Sequence, residues 1–406
     1  MKRAFPRTLV AAALLAVSGA FVVVPAASAA ETKPTLRAEV GKPLQEAQAA
    51  LQAKDYATAL AKVGEAEKVG SLNPYEQYLA ERLRALAATG ANDAPTALKA
   101  YAAVLASDQL PAADKPAMLE IASRLAYGAK DYAQAARLLQ QYRAAGGGND
   151  QLLGLLPQAL YLSNDYAGAQ QELAAVIARL EQSGQKPGEI QLQLLASSAA
   201  KQNDMATYGA TLEKLVALYP QPKYWSELIV RTASKPGFAA RLRLDVYRLK
   251  LAAGVLDSGD EALDATQLAI DAGLPAEAEH YLQLAQAKGA SGSAALKVTV
   301  AKKLAEDKAS LAEGEKAAAQ QASGDALVAT GLNYIGYGQY DKGIALMQQG
   351  IAKGGLKKAD DARLHLGYAQ VLAGQSAAAQ ATLKSVAGSD GSADLARLWT
   401  MLKTAR

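Results

Sequence analysis

Along most of the chain, small and apolar positions, chiefly Ala and Leu, form stretches of a few helical turns separated by short polar breaks. The clearest breaks are Gly146-Gly147-Gly148-Asn149-Asp150, Ser183-Gly184-Gln185-Lys186-Pro187-Gly188, Gly289-Ala290-Ser291-Gly292-Ser293 and Ser323-Gly324. Gly, Pro, Asn and Ser clusters of this kind punctuate regular elements. Few segments alternate Val, Ile or Thr with polar residues, as half-buried strands would. The pattern therefore predicts many short helices. Residues 241–248 read as an amphipathic helix carrying Arg241, Tyr247 and Arg248. Residues 293–322 hold helix-forming residues but few large apolar ones beyond Leu304 and Leu311, which predicts a thin helical pair.

One phrase recurs at the breaks: a polar residue, Asp, an aromatic, and Ala three places on. It stands as Lys54-Asp55-Tyr56-Ala57-Thr58-Ala59, as Lys130-Asp131-Tyr132-Ala133-Gln134-Ala135 and as Asn164-Asp165-Tyr166-Ala167-Gly168-Ala169. Weaker copies are Asn203-Asp204-Met205, Gly338-Gln339-Tyr340-Asp341-Lys342-Gly343 and Gly374-Gln375-Ser376-Ala377-Ala378-Ala379. The first two residues turn the chain between antiparallel helices, the aromatic plugs the pair, and the small residue lets the helices approach. The small positions are Ala59, Ala97, Ala135, Ala169, Tyr208, Ala278, Gly343 and Ala379. Their spacing is near one helix–turn–helix unit, except for two gaps of about twice that, where a degenerate unit is expected. Tyr208 is bulky and fits poorly. Pro74 and Pro220 stand where a second helix would end, and Gly331, Tyr334 and Leu366-Gly367 match first-helix positions. The phrase and its period resemble the tetratricopeptide repeat (TPR). The expectation is an all-α, TPR-like α-solenoid, with antiparallel helix pairs stacked in a right-handed superhelix and each pair touching only its neighbours.

The N-terminus breaks this pattern. Lys2, Arg3 and Arg7 precede an apolar or small stretch at residues 9–25, followed by Ala27-Ser28-Ala29-Ala30. That is the grammar of a cleaved export signal over residues 1–30, with cleavage before Ala30 or Glu31. The expected location is periplasmic, with no stable membrane insertion after cleavage. The expected order is then a polar leader at 31–42, an N-terminal array at 43–222, a divergent central region at 223–322 and C-terminal repeats at 323–406. Half of the residues are hydrophobic but only 6% are aromatic, so the core must be built from small side chains in close contact. There is no cysteine, which excludes disulfides, thiolate metal sites and lipid attachment at Cys. The formal charge of +4 falls to +1 without the three basic signal residues. No nucleic-acid partner is indicated.

Candidate chemistry is sparse. His280 and His365 lie in different repeats and read as surface or interhelical residues. Gly331-Leu332-Asn333-Tyr334-Ile335-Gly336-Tyr337-Gly338 is glycine-rich but follows no strand and lacks the lysine ending of a phosphate loop, so it reads as a first helix. Asp360-Asp361, Asp55 and Asp131 sit at turns or helix starts, where Asp favours the helix dipole. Lys302-Lys303 and Lys357-Lys358 read as solvated faces. No cofactor or metal and no enzymatic activity are expected. What remains is a wall of first helices, with Arg82, Glu120, Arg124, Tyr127, Gln158, Tyr161, Gln193 and Tyr368 as the candidate groove for a protein or peptide.

The phrases Leu218-Tyr219-Pro220, Tyr224-Trp225 and Lys235-Pro236-Gly237-Phe238 break the repeat grammar. They resemble bacterial periplasmic TPR proteins of TonB energy-transduction systems, over roughly the C-terminal half. The resemblance implies an accessory near TonB–ExbB–ExbD and brings no catalytic residues. Two other readings are a structural or assembly factor of the envelope, serving peptidoglycan or an outer-membrane complex, and a hydrolase with an inter-repeat site.

Overall fold

The turn between paired helices has one recurring backbone solution. Lys54, Asn92, Lys130, Asn164 and Asn203 all have φ between 57° and 67°. Each is followed by an Asp. Asp55, Asp93, Asp165 and Asp204 cap the next helix by accepting from the N–H three residues on, and Asp131 accepts from Gln134 N in the same way. The polar-Asp phrase is thus a left-handed residue and an N-cap in succession, which reverses the chain within three residues. Asn tolerates positive φ far better than Lys does. Lys54→Asn is therefore expected to raise stability by a few tenths to about 1 kcal/mol, read as a higher urea midpoint at unchanged helicity.

The computed structural model describes residues 35–291 and 293–402. The signal segment at 1–30 lies outside these residues. The described chain divides into two units, one of residues 35–130 with 138–148, the other of 131–137 with the rest. The first unit contains α1 (Ala38–Gln52), α2 (Tyr56–Glu67), α3 (Pro74–Gly90), α4 (Ala94–Ala106) and α5 (Lys115–Gly128), and α6 (Tyr132–Ala144) is divided between the units. α1 packs on α2, and α3 on α4. The helix starts at Ala38, so most of what reads as a polar leader is ordered: Val40 and Leu44 are buried with Val63 and Ala80. Pro74 opens α3 rather than ending a helix. Its missing N–H costs nothing in the first turn, and Asn73 with Glu76 forms a capping box. Glu76 is fully buried and takes hydrogen bonds from Arg37 Nε and Nη2, from Arg37 N and from Asn73 N. The Arg37 bonds lead in holding its carboxyl down at about 2.

The second unit continues with α7 (Asp150–Leu153), α8 (Leu156–Leu162), α9 (Tyr166–Gln182), α10 (Glu189–Lys201), α11 (Met205–Leu218), α12 (Pro222–Ala233), a 3-10 turn (Ala240–Leu242), α13 (Arg243–Ala252), α14 (Gly259–Asp271) and α15 (Pro275–Ala287). It ends with α16 (Ser293–Gln320), α17 (Asp325–Gly336), α18 (Tyr340–Lys353), α19 (Ala359–Leu372), α20 (Ser376–Lys384) and α21 (Ser392–Met401). Pairs form as the phrase predicts: α8 with α9, α10 with α11, α14 with α15, α17 with α18, α19 with α20. Ala169, Ala278, Gly343 and Ala379 are buried at the pair contacts. α17 and α18 touch backbone to backbone: a Cβ on Gly331 would lie 2.6 Å from the Gly343 carbonyl oxygen.

Three expectations need correction. Of the two wide gaps, the first hides a pair, α12 and α13, but the second holds only the 28-residue α16. Between Ala294 and Gln320 there is no Pro, one exposed Gly and no Lys-Asp or Asn-Asp pair of the kind that turns the other helices back. α15 instead packs directly on α17 as well as on α16. No division falls near residue 223, because one core runs from Leu173 through Trp225 to Val255. That core also takes in Leu364, Leu383, Leu395 and Trp399. The C-terminal helix therefore packs against the middle of the unit, and the rule that a repeat touches only its neighbours fails here. Ala239 N donates to Asp390 O at 2.9 Å. Phe238 lies against Gly391, whose φ of 102° and lack of a side chain make room for the ring. Lys235 pairs with Asp394, and Arg397 with Glu213.

Candidate functional site

In the second unit, α13, α14, α16, α17 and α19 surround a cavity of about 550 Å³. Its walls are set by apolar packing: Leu244, Ala265, Ala269, Leu274, Val328, Leu332 and Ala362 share one core. Into this apolar frame the chain places charge. Arg248 is 3% exposed and donates through Nε and Nη2 to the two oxygens of Glu277, at 2.8 and 2.7 Å. Its Nη1 donates to Asp245 Oδ1 at 2.7 Å. His365 Nε2 lies 3.0 Å from the same oxygen, a charge contact without hydrogen-bond alignment. The Arg248 guanidinium stands over the Tyr368 ring, 5.1 Å from its centroid, and that ring packs on Trp399 at 5.3 Å.

Burial alone would raise the Asp245 carboxyl. The charges of His365 and Arg248 more than offset it and hold the group at about 2. Burial likewise works against the Arg248 cation, yet Glu277 and then Asp245 keep it charged. Burial and the Glu277 charge push the Tyr368 phenol well up. A folded-state carboxyl held below its unfolded value stabilises the protein above about pH 4 and stops doing so as the pH falls to about 2. The melting-temperature gap between the parent chain and Asp245→Asn is expected to be widest near pH 6 and to close by pH 2.

Arg241 completes the rim. It donates to both oxygens of Asp361, at 2.7 and 2.8 Å, and to Asp390. Among the described residues no three or more His, Cys, Asp or Glu converge as a metal site.

The candidate groove residues lie on α3, α5, α8, α10 and α19, in both units. Arg82 donates to Tyr78 Oη at 2.9 Å, and Arg124 pairs with Glu120 one turn away at 2.8 Å; both belong to the first unit. Tyr127 and Gln158 are half-buried. Tyr161 and Gln193 belong to one inter-repeat ladder: Tyr161 Oη meets Ser197 Oγ at 2.7 Å, and Gln193 bonds Tyr224 Oη and Glu189. Tyr368 is spent on packing against Arg248 and Trp399. Of the basic segment, Arg248 is withdrawn from solvent and spent on its two acids, whereas Arg241 and Arg243 remain exposed. The signal was present: Asp245 and Arg248 stand one turn apart among Leu242, Leu244, Val246 and Leu249, so no fully polar face exists for them. Their partners Glu277 and His365, 29 and 120 residues away from Arg248 and Asp245, carried no such mark.

No protein-family model matches the chain, and no curated protein matches it. Among solved structures, that of Naa15/Naa10 bound to HypK-THB aligns over 88% of this chain and 58% of its own, at 16% identity and a TM-score of 0.31. The chain thus spans less than two thirds of that neighbour. The crystal structure of yeast Tom70 aligns over 89% of this chain and 94% of its own, at 10% identity and a TM-score of 0.24. Neither likeness bears on function. The helix pairing and the repeated left-handed residue with its Asp cap decide the architecture. The fold is a TPR-like α-solenoid. In the second unit, its last helix returns to the middle.

Proposed function

We propose that the chain is a scaffold that holds a protein or peptide on its first-helix wall, and that it is exported to the periplasm. The observation that carries the reading is the ladder on α8, α10 and α12. Two links cross the repeats, Tyr161 with Ser197 and Tyr224 with Gln193 and Glu189, and Tyr161 and Gln193 are half-exposed. Side chains fixed in advance lose little rotamer freedom when a partner docks, so more of each contact appears as affinity. Tyr is also a residue type that anchors interfaces. The export signal and the phrases at Tyr224-Trp225 and Lys235-Pro236-Gly237-Phe238 support an envelope partner, with TonB–ExbB–ExbD as the first to test.

The test is a crosslinking pulldown from periplasm with the tagged mature chain. Tyr161→Ala with Gln193→Ala, and separately Arg124→Ala with Tyr127→Ala, should each weaken capture about tenfold or more, at about 1–2 kcal/mol per anchor lost, with far-UV circular dichroism unchanged. Capture that survives both double variants would remove the wall from the interface. Recovery of peptidoglycan or outer-membrane assembly components, without TonB–ExbB–ExbD, would redirect the role to envelope assembly.

A further inference from the structure

The two halves of α16 belong to different cores. Leu296 and Val300 pack with the α14–α15 pair, in the core that holds Ala265, Tyr281 and Leu282. Beyond Leu304 the helix lies against α17 and α18, on a small separate cluster of Ala318, Leu327, Tyr334 and Leu346. Over residues 305–320 only Ala318 is buried, with Leu311 partly so. The facing helix α17 buries Leu327, Val328, Leu332, Tyr334 and Ile335 within its 12 residues. The other ties of this half of α16 are polar. Glu315 accepts from Tyr334 Oη at 2.6 Å and pairs with Lys342 at 2.6 Å. Asp307 accepts from Asn333 Nδ2 and Tyr337 Oη, at 2.7 and 2.6 Å. Lys353 Nζ donates to the Ala319 carbonyl at 2.7 Å. Glu315 and Lys342 are 28% and 45% exposed, so water and salt compete for their pairing.

A second observation concerns Gly314, in the middle of the same stretch. A Cβ built there would meet nothing within 4 Å among the described residues, so no close approach asks for a glycine. A glycine inside a helix weakens it relative to alanine. Sparse apolar contact and an unforced glycine thus coincide in one stretch of one helix. Segments of this kind open at a small fraction of the free energy that unfolds the whole domain.

We propose that residues 305–320 are a strap that lifts from α17 and α18 while the rest of the second unit stays folded. Lifting uncovers Leu327, Tyr334 and Leu346 and removes the cavity wall made by Asp307, Ser310, Leu311 and Gly314. A helix of this length is marginal in water once its packing is gone, so the lifted strap also frays and its amides exchange. The N-terminal half of α16, anchored through Leu296 and Val300, stays in place. Opening is a property of the free chain and needs no partner.

Amide hydrogen exchange of the mature full chain, resolved by segment, tests it. The amides of residues 305–320 are expected to exchange at least about a hundredfold faster than the core amides of α15 and α17. Gly314→Ala should slow that segment alone about fivefold, the helix-propensity gap between the two residues. Glu315→Ala should speed it about tenfold through loss of the Tyr334 and Lys342 contacts. The chain has no cysteine, so an introduced thiol gives a second reading free of background. Ala318 is 2% exposed beneath the strap, and Ala369 is 0% exposed in the neighbouring core. The Ala318→Cys variant should react with a maleimide at least about tenfold faster than the Ala369→Cys variant, with thermal melts confirming that both are folded. Protection of residues 305–320 equal to that of α17, together with equal labelling of the two thiols, overturns the strap. Exchange that is equally fast in α15, α16 and α17 also overturns it, since the three helices then open as one unit. A Gly314→Ala effect spread evenly over the second unit overturns it as well.

Discussion

Arg248→Ala is expected to destabilise the second unit by about 3–5 kcal/mol, the cost of removing one partner from a buried ion pair. The reason is the pair of acids left behind. Glu277 and Asp245 are buried, and with Arg248 gone they repel each other across a space that water barely reaches. Their cheapest response is to take up protons, which turns the variant's stability upside down in pH: it should fare relatively better in acid, where the parent loses the Asp245 contribution. Replacing all three together, as Arg248→Met, Asp245→Asn and Glu277→Gln, should recover much of the loss, because no buried charge then remains. Urea unfolding at pH 3 and pH 7 checks both statements. A single variant that loses less than about 1 kcal/mol would mean the triad is solvated in solution.

Trp399→Ala is expected to cost about 3–5 kcal/mol, the usual range for truncating a buried Trp. What matters more is where the loss appears. Trp399 is 2% exposed and shares its core with Trp225, Leu242 and Val246, about 150 to 175 residues earlier. In a linear repeat array, damage at the last helix frays the last pair. Here it should also release α12 and α13, seen as faster amide exchange across residues 222–252. Exchange that rises only within α19 and α20 would show that the return of α21 contributes little energy. A smaller variant, Gly391→Val, strains a backbone with φ of 102° and displaces Phe238, so it should weaken the same contact from the other side.

The element pattern was legible because its causes are local. An N-cap Asp bonds an N–H three residues away, a left-handed Asn or Lys precedes it, and a small residue at the pair contact follows. All of this fits within one phrase, so Asp55, Asp165 and Asp204 announce their turns wherever they stand. α16 was misread because its residues favour helix without saying how many helices; only the absence of a turn residue inside it settled that, and the exposed Gly314 obscured it. The leader was misread because Pro43 and polar neighbours look like a linker, whereas Pro43 sits inside α1 at the loss of one backbone bond, offset by the burial of Val40, Leu44 and Ala47.

The cavity was not legible for a different reason. Asp307, Asp325, Asn333 and His365 lie on three helices and have no common spacing. Arg241 and Asp361 are 120 residues apart, and Lys235 and Asp394 are 159 apart. Such pairs follow from the path of the array, not from any period within it. By itself the sequence determined the helix pairs, their turns and their small-residue contacts, since these are settled within a few residues by hydrogen bonding and close packing. Only the tertiary structure decided that the last helix returns to the middle, that Arg248 is buried with two acids, and that a cavity lined by charged groups of both signs forms beside them. Those outcomes depend on where distant helices come to rest after every turn has added its small rotation.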